Sequence, residues 1–462
     1  MAHNKQANIV VIGGGPGGYE AALSAARLGA KVTIIERQGV GGSAVLSDVV
    51  PSKTLIAASE RIAKVYEAQK LGLVSQDIDC AEETINLAEV NSKLLELAKS
   101  QSEDLRKAIK EAGIDVIDAT GKLIDQHTVE ADGQKIPADY ILIAVGGSPR
   151  ELDSSKPDGK RIFNWAQLYT MKDLPEHLIV IGSGVTGAEF ASAYIGLGVN
   201  VTLISSRDQV LPGEDADAAK VLENVLQKKG LTLFPKSRAE TVQATHDGVE
   251  VTLTDGRTVK GSHCLVAVGA IPNTQNLNLE ENGVELKESG HVEVDSVCRT
   301  SVPNIYAVGD CTGVFPLASV AAMQGRLAVA HIMGDSLKPL NLKTVAANIF
   351  TTPEIASVGV SEQEVDSGEY QADIQTLPLV TNARAKMLDI NEGFVKLIAR
   401  KGSGTVIGGV VVGPGASELV FPIAVAVTRR MTVDELAETF TVYPSLSGTI
   451  TEVARRLHKR AE

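Results

Sequence analysis

Cysteine is scarce in this chain of 462 residues: there are four, Cys80, Cys264, Cys298 and Cys311. They lie far apart and none stands in a CxxC or CxxxxC pair, which excludes a disulfide framework and a zinc site. This usage fits the reduced thiols of a cytoplasmic protein. Cys264 and Cys298, in apolar strand-like runs, are expected to be buried packing residues. Basic charge is also in short supply. Lys and Arg number 44 against 57 Asp and Glu, a formal net charge of −13, so a nucleic-acid partner is not expected. The one basic block, residues 454–461, is expected as a solvated terminal helix. No run of 18 uncharged apolar residues occurs, so no integral membrane segment is expected. The polar residues 1–8 pass directly into a strand pattern, which leaves no room for a signal peptide.

What remains is an ordinary globular composition, 44% apolar and 22% charged, which rules out disorder over most of the chain. The length suggests about three domains at roughly 150 residues each. The first readable unit is a continuous apolar run from Asn8, a glycine turn, an alanine-rich helical stretch and a second strand ending at Glu36. Gly13, Gly15 and Gly18 fit G-x-G-x-x-G, and the acid follows at the spacing of a dinucleotide-binding βαβ unit. Gly13 permits the tight turn, Gly15 lets the backbone approach a pyrophosphate, and Gly18 lets helix and strand pack closely. The helix N-terminus offers free N–H groups to phosphates, and Glu36 can accept hydrogen bonds from ribose hydroxyls.

The pattern recurs at Gly182, Gly184 and Gly187. The offset from first glycine to strand end is the same in both copies, 13 to 36 and 182 to 205, so two dinucleotide sites are expected. The second copy ends in Ser205, Ser206 and Arg207 instead of an acid. A carboxylate there would repel a 2′-phosphate, whereas Arg beside Ser suits one; the site is expected to take NADPH, with NADH left open. A second echo, residues 141–149 against 265–272, follows hairpin signals at Asp132-Gly133, Asp247-Gly248 and Asp255-Gly256, so each nucleotide unit is expected to carry a small β-meander. Residues 85–112 read as a helix with a solvated face. Residues 300–310 read as a short strand ending in Gly309-Asp310, where the carboxylate can hold a chain of hydroxyls, before a helix over 318–333. From residue 340 the texture changes to an α+β pattern. Its helix over 417–430 is unusually apolar, which favours burial in a dimer contact.

Together these features resemble the flavoprotein pyridine nucleotide–disulfide oxidoreductases, the family of dihydrolipoamide dehydrogenase, over nearly the whole chain. The resemblance implies two doubly wound, Rossmann-like α/β nucleotide-binding domains with the NAD(P) domain inserted in the FAD domain, plus a C-terminal α+β dimerisation domain. The expected boundaries are 1–150 with 275–339, 151–274, and 340–462. It places FAD in the first site and NAD(P)H in the second, with Asp310 on the ribityl chain and the Ala318 backbone near the ring. Gly42, Ser43, Gly121 and Gly269 complete the expected cofactor-binding set. Lys53 and Glu189 are implied to pair beside flavin N5 and the nicotinamide. There Lys53 would stabilise the reduced flavin's negative charge, and hydride would pass from nicotinamide C4 to N5.

The departures from the family bear on function. Within residues 41–53 the family pattern G-G-T-C-x-x-x-x-C-x-P-S-K keeps Gly41, Gly42, Pro51, Ser52 and Lys53, but its redox cysteines are Ala44 and Val49 here. The family's catalytic H-P-x-x-x-E reads as Tyr443 to Gly448, so the His is Tyr443 and its orienting Glu is Gly448. Tyrosine, titrating near about 10, is a poor base at neutral pH. Disulfide reductase activity is therefore not expected. A flavin loaded from the second site needs another acceptor, and quinones take electrons without a thiol relay. The actinobacterial NAD(P)H quinone reductase group, with the same altered loop and terminus, looks most similar. In that reading Tyr443 lines the quinone pocket of the partner subunit in a homodimer. Two alternatives stand beside it: a soluble pyridine nucleotide transhydrogenase, and a non-catalytic flavin-bearing signalling protein.

Overall fold

In the computed structural model, residues 6–70, 72–73, 85–335 and 338–458 are described. Cys80 and residues 459–461 of the basic block lie outside them. The apolar run at the start becomes the central strand Asn8–Ile12, buried on both faces as parallel strands between helices are. It pairs in parallel with Lys31–Glu36 on one side and Tyr140–Ile143 on the other. Asp115–Asp118 and Ile305–Ala307 complete this five-stranded sheet at its two edges. Helices Pro16–Arg27 and Ala318–Ile332 pack on each other through small residues. A Cβ on Gly325 would lie 2.3 Å from the Gly17 carbonyl oxygen, so only glycine allows this approach.

The second sheet repeats the plan. Its order is Thr232–Phe234, Asn200–Ile204, His177–Ile181, His263–Val266 and Ile162–Phe163, all parallel. The expected meanders are both present, over residues 121–137 and 239–261. The hairpin at Asp132-Gly133 has both residues at positive φ, 50° and 72°, the geometry that two-residue hairpins require. The internal echo has a structural meaning of its own. Gly147–Pro149 and Ala270–Pro272, one from each copy, pair antiparallel with each other. They are the two connections by which the chain leaves the first unit and comes back to it.

The remaining sheet is antiparallel, in the order Ala346–Ile349, Ile355–Gly359, Val406–Val412, Phe394–Arg400, Ala372–Pro378. Helix Ala416–Arg429 buries Ala416, Val420, Ile423 and Ala426 against it, but leaves Phe421 69% exposed. One face of this apolar helix is thus core and the other is open in the single chain. The expected terminal helix is corrected. It begins earlier, as Gly448–Leu457, and buries Ile450, Val453 and Ala454; only its outer face is solvated, where Arg455 and Arg456 pair with Glu452. Apolar residues at every third or fourth position made it amphipathic, a signal that the charge block hid. Cys264, Cys298 and Cys311 are buried and unpaired, and burial pushes the Cys298 and Cys311 thiols up to about 12.

Candidate active site

The two glycine turns are near copies in space. Gly13 and Gly182 have φ of +104° and +107°, and a Cβ on either would strike the neighbouring strand's carbonyl, at Ala144 or Ala267, within 2.3 Å. A Cβ on Gly18 or Gly187 would fall 2.0 or 1.8 Å from the carbonyl oxygen of the first glycine of its own turn. A Cβ on Gly15 or Gly184, by contrast, would meet no protein atom within 4 Å. These middle glycines cap helices Pro16–Arg27 and Val185–Gly196 with no side-chain bond to the helix N-terminus. The first turn of backbone N–H groups therefore faces open space, where a pyrophosphate can accept from it.

The first turn opens into a cleft of about 770 Å³, within the usual range of roughly 300–1,000 Å³ for small-molecule sites. Gly13, Gly15 and Glu36 line it. Gly42, Ser43, Gly121, Asp310 and Ala318 line it as well. Gly18 is buried behind the turn. Glu36 holds the loop together, since its carboxylate accepts from Gly14 N at 2.6 Å and Gln38 N at 2.7 Å. Burial holds the Asp310 carboxyl above its ordinary range, eased only by His291. A cleft with an open phosphate cradle and two acids in its lining, Glu36 and Asp310, suits FAD.

At the second turn, Ser205 is fully buried and its hydroxyl lies 2.7 Å from Ser183 Oγ and 3.0 Å from the Arg207 carbonyl oxygen. It ties the strand end to the glycine turn. Ser206 and Arg207 are the exposed groups there, and Arg207 forms no ion pair among the described residues. Gly269 sits at the returning connection, where its carbonyl accepts from Arg150 N at 2.9 Å.

Three separate parts of the chain meet at Lys53. It lies one turn into helix Val49–Lys70, and its Nζ is 2.7 Å from Glu189 Oε2. Glu189 comes from helix Val185–Gly196 of the second unit and is buried. Its other oxygen accepts from Phe350 N at 2.9 Å, and the Phe350 ring lies 5.3 Å below the Lys53 ammonium. The two helices come close because Gly196 faces Ser59, where even a bare Cβ would lie 3.2 Å from the serine Cβ. Neither Lys53 nor Glu189 lines the cleft itself, but Lys53 stands one helical turn on from the cleft-lining Val49, and a cation held there is suited to electrostatic stabilisation of developing negative charge.

Tyr443 is not part of this cluster. In one chain it is 86% exposed, beside Phe440 at 102% and Val442 at 76%, and it lines no part of the cleft. Two residues that motif reading missed stand closer. Asp48, between the positions of the two absent cysteines, lines the cleft. Burial pushes its carboxyl up to about 6; Lys53 opposes the rise, while Glu189 and Asp310 add to it. Tyr169 is buried with its hydroxyl beside Ser52 but without a well-formed hydrogen bond among the described residues. Asp48 left one trace in the sequence, as the only charged residue between Arg37 and Lys53. Tyr169 left none.

Fold and site together define a two-dinucleotide oxidoreductase, and comparison with known proteins gives its family. The model for pyridine nucleotide-disulphide oxidoreductases matches residues 7–325, and that for the dimerisation domain of the same family matches residues 345–454. The chain belongs to this family of flavin oxidoreductases, which implies FAD and NAD(P)H as cofactors. Among individual relatives, a protein named NAD(P)H dehydrogenase (quinone) from Mycobacterium tuberculosis is 52% identical over 463 residues, covering 97% of this chain and 93% of that one. Dihydrolipoyl dehydrogenase of Geobacillus stearothermophilus is 32% identical, covering 96% and 95%. The crystal structure of LpdA from Mycobacterium tuberculosis superposes with a TM-score of 0.94 at 51% identity, covering 98% of this chain and all of that one. No helix among the described residues is long and apolar enough to cross a membrane.

Proposed function

We propose that this protein is an NAD(P)H:quinone oxidoreductase that works without a redox disulfide. One observation carries the reading: Ala44 and Val49 line the cleft where the family's thiols stand, while the Lys53–Glu189 pair beside them is intact at 2.7 Å. Bound FAD would supply the chemistry by taking an electron pair from the nicotinamide and passing it to an acceptor. The chain's own work is to seat both cofactors and to hold Lys53 beside the reacting region. Without a thiol or a histidine base the acceptor must take electrons directly, as quinones do. The name of the 52%-identical relative supports the same acceptor class.

The exposed Arg207 supports NADPH over NADH at the second site, through its charge on a 2′-phosphate. The exposed Phe440, Val442 and Tyr443, on a dimerisation domain, support a homodimer in which Tyr443 completes the partner's acceptor pocket. A cytoplasmic location accords with the buried, unpaired thiols. The domain limits we propose are 1–150 with 275–339, 151–274, and 340–462.

The test is anaerobic reduction of the holoenzyme by each nicotinamide, then reoxidation by quinones, a thio-NAD analogue, oxygen and disulfides. Quinones are expected to restore the flavin fastest. Faster reoxidation by the NAD analogue would make the protein a transhydrogenase, and no turnover with any acceptor would make it a binding protein. Arg207→Glu should weaken NADPH at least tenfold more than NADH in the same assay; an unchanged ratio removes Arg207 from cofactor choice.

A further inference from the structure

Asp48 occupies the place next to a missing sulfur. It directly precedes Val49, lines the cleft with Ala44 and Val49, and is half-buried. Every charged or titratable group facing it can be named. The charge of Lys53 acts on it from helix Val49–Lys70, that of Glu189 from Val185–Gly196 and that of Asp310 from beyond strand Ile305–Ala307, and the Tyr169 phenol feels it from the turn at residues 168–170. Lys53 already serves Glu189, so Asp48 has no counter-ion of its own. No hydrogen bond from the described residues acts on its carboxyl; only burial and charge do. Burial also keeps the Tyr169 phenol neutral, well above its ordinary value.

One cation among three carboxylates leaves this corner of the cleft short of positive charge. Arrival of a hydride equivalent adds a further negative charge there. Nearby negative charge raises the proton affinity of a carboxylate, so the response available to Asp48 is to bind a proton.

We propose, on the quinone reading above, that Asp48 is the acid of the acceptor half-reaction: it loads a proton from solvent as the electron pair enters the cleft and gives it to a quinone oxygen as the pair leaves. The balance is NAD(P)H plus quinone plus H⁺ to NAD(P)⁺ plus hydroquinone. The nicotinamide C–H bond breaks, and its hydrogen and electron pair end on the acceptor as one O–H bond. The second O–H bond forms as the Asp48 O–H bond breaks, and a solvent proton restores the acid.

The experiment uses holoenzyme and Asp48→Asn, with Asp48→Ser as a second variant should the amide fail to retain flavin. The first readout needs no acceptor: the pH dependence of the flavin midpoint potential, which counts protons taken up per electron pair. In wild type the count should rise from one to two in a window that opens near pH 6, where the oxidised-state Asp48 titrates, and fall back to one where the reduced-state carboxyl ionises. In Asp48→Asn it should stay at one. The second readout is rapid oxidation of the reduced protein at pH 7. Menadione should act at least tenfold more slowly on Asp48→Asn, while ferricyanide, which takes electrons without protons, should change less than twofold. A wild-type count fixed at one from pH 5 to 9, or equal menadione rates, overturns the proposal. A wild type that reduces no quinone overturns the acceptor reading instead, and the proton count alone then decides whether Asp48 loads a proton.

Discussion

In the function proposed above, Lys53 is the cation of the site. Its ammonium is held by Glu189, and Glu189 is itself fixed by the Phe350 backbone. On that proposal, removing the cation would leave a buried carboxylate near the developing negative charge, and both effects would oppose reduction. Lys53→Met should slow flavin reduction by NADPH at least tenfold in stopped-flow, with far-UV circular dichroism unchanged; a normal rate would exclude the assigned role. The identity of Lys53 was legible from Pro51-Ser52-Lys53. Its pairing with Glu189, 136 positions along the chain, was implied by the family resemblance alone, and two helices that come close at Gly196 and Ser59 bring it about.

The glycine turns make a sharper test at the level of the element, because neighbouring glycines in one motif have opposite surroundings. Gly187 is packed against its own turn, and a Cβ there would lie 1.8 Å from backbone. Gly187→Ala should cost roughly 1–3 kcal/mol of stability, as overpacking does. Gly184 faces open space. Gly184→Ala should leave stability within about 0.5 kcal/mol but weaken NADPH binding at least tenfold, since the new methyl group occupies the path of the pyrophosphate. Thermal melts with and without nucleotide separate the two; similar melts for both variants would refute the division of roles. Sequence spacing predicted this division, because turn, phosphate approach and helix packing each set a local demand at a fixed position. The amphipathic helix Gly448–Leu457 escaped notice because Arg455 and Arg456 drew attention to its solvated face.

Across the whole molecule, the least anticipated feature is Lys396. It is 1% exposed, in the strand Phe394–Arg400, and its Nζ meets Asp215 at 2.8 Å, Asp217 at 2.7 Å and Glu362 more closely still. Burial alone would lower its proton affinity, yet the three carboxylates outweigh that and raise it. The cluster ties the helix Ala216–Lys228 of the second nucleotide unit to the C-terminal sheet. Lys396→Met would leave three carboxylates without their cation, and a loss of roughly 3–5 kcal/mol is expected, measurable by denaturant unfolding. A loss below about 1 kcal/mol would mean that the apolar packing at this junction, not the ion cluster, joins the two units. In the sequence Lys396 is one lysine among many in a strand pattern, and nothing local marks it as buried.

Sequence alone determined the two dinucleotide units, their glycine turns, the loss of the thiol relay and the α+β texture of the last third. Each of these depends on residues close together along the chain, where period, spacing and backbone sterics act directly. Tertiary structure decided which distant charges meet: Asp48 with an uncompensated field and Lys396 with three acids, while Lys53 with Glu189 had been implied only by the family resemblance. Charge and burial act through space, so their balance at a residue exists only once the fold has set every neighbour's distance.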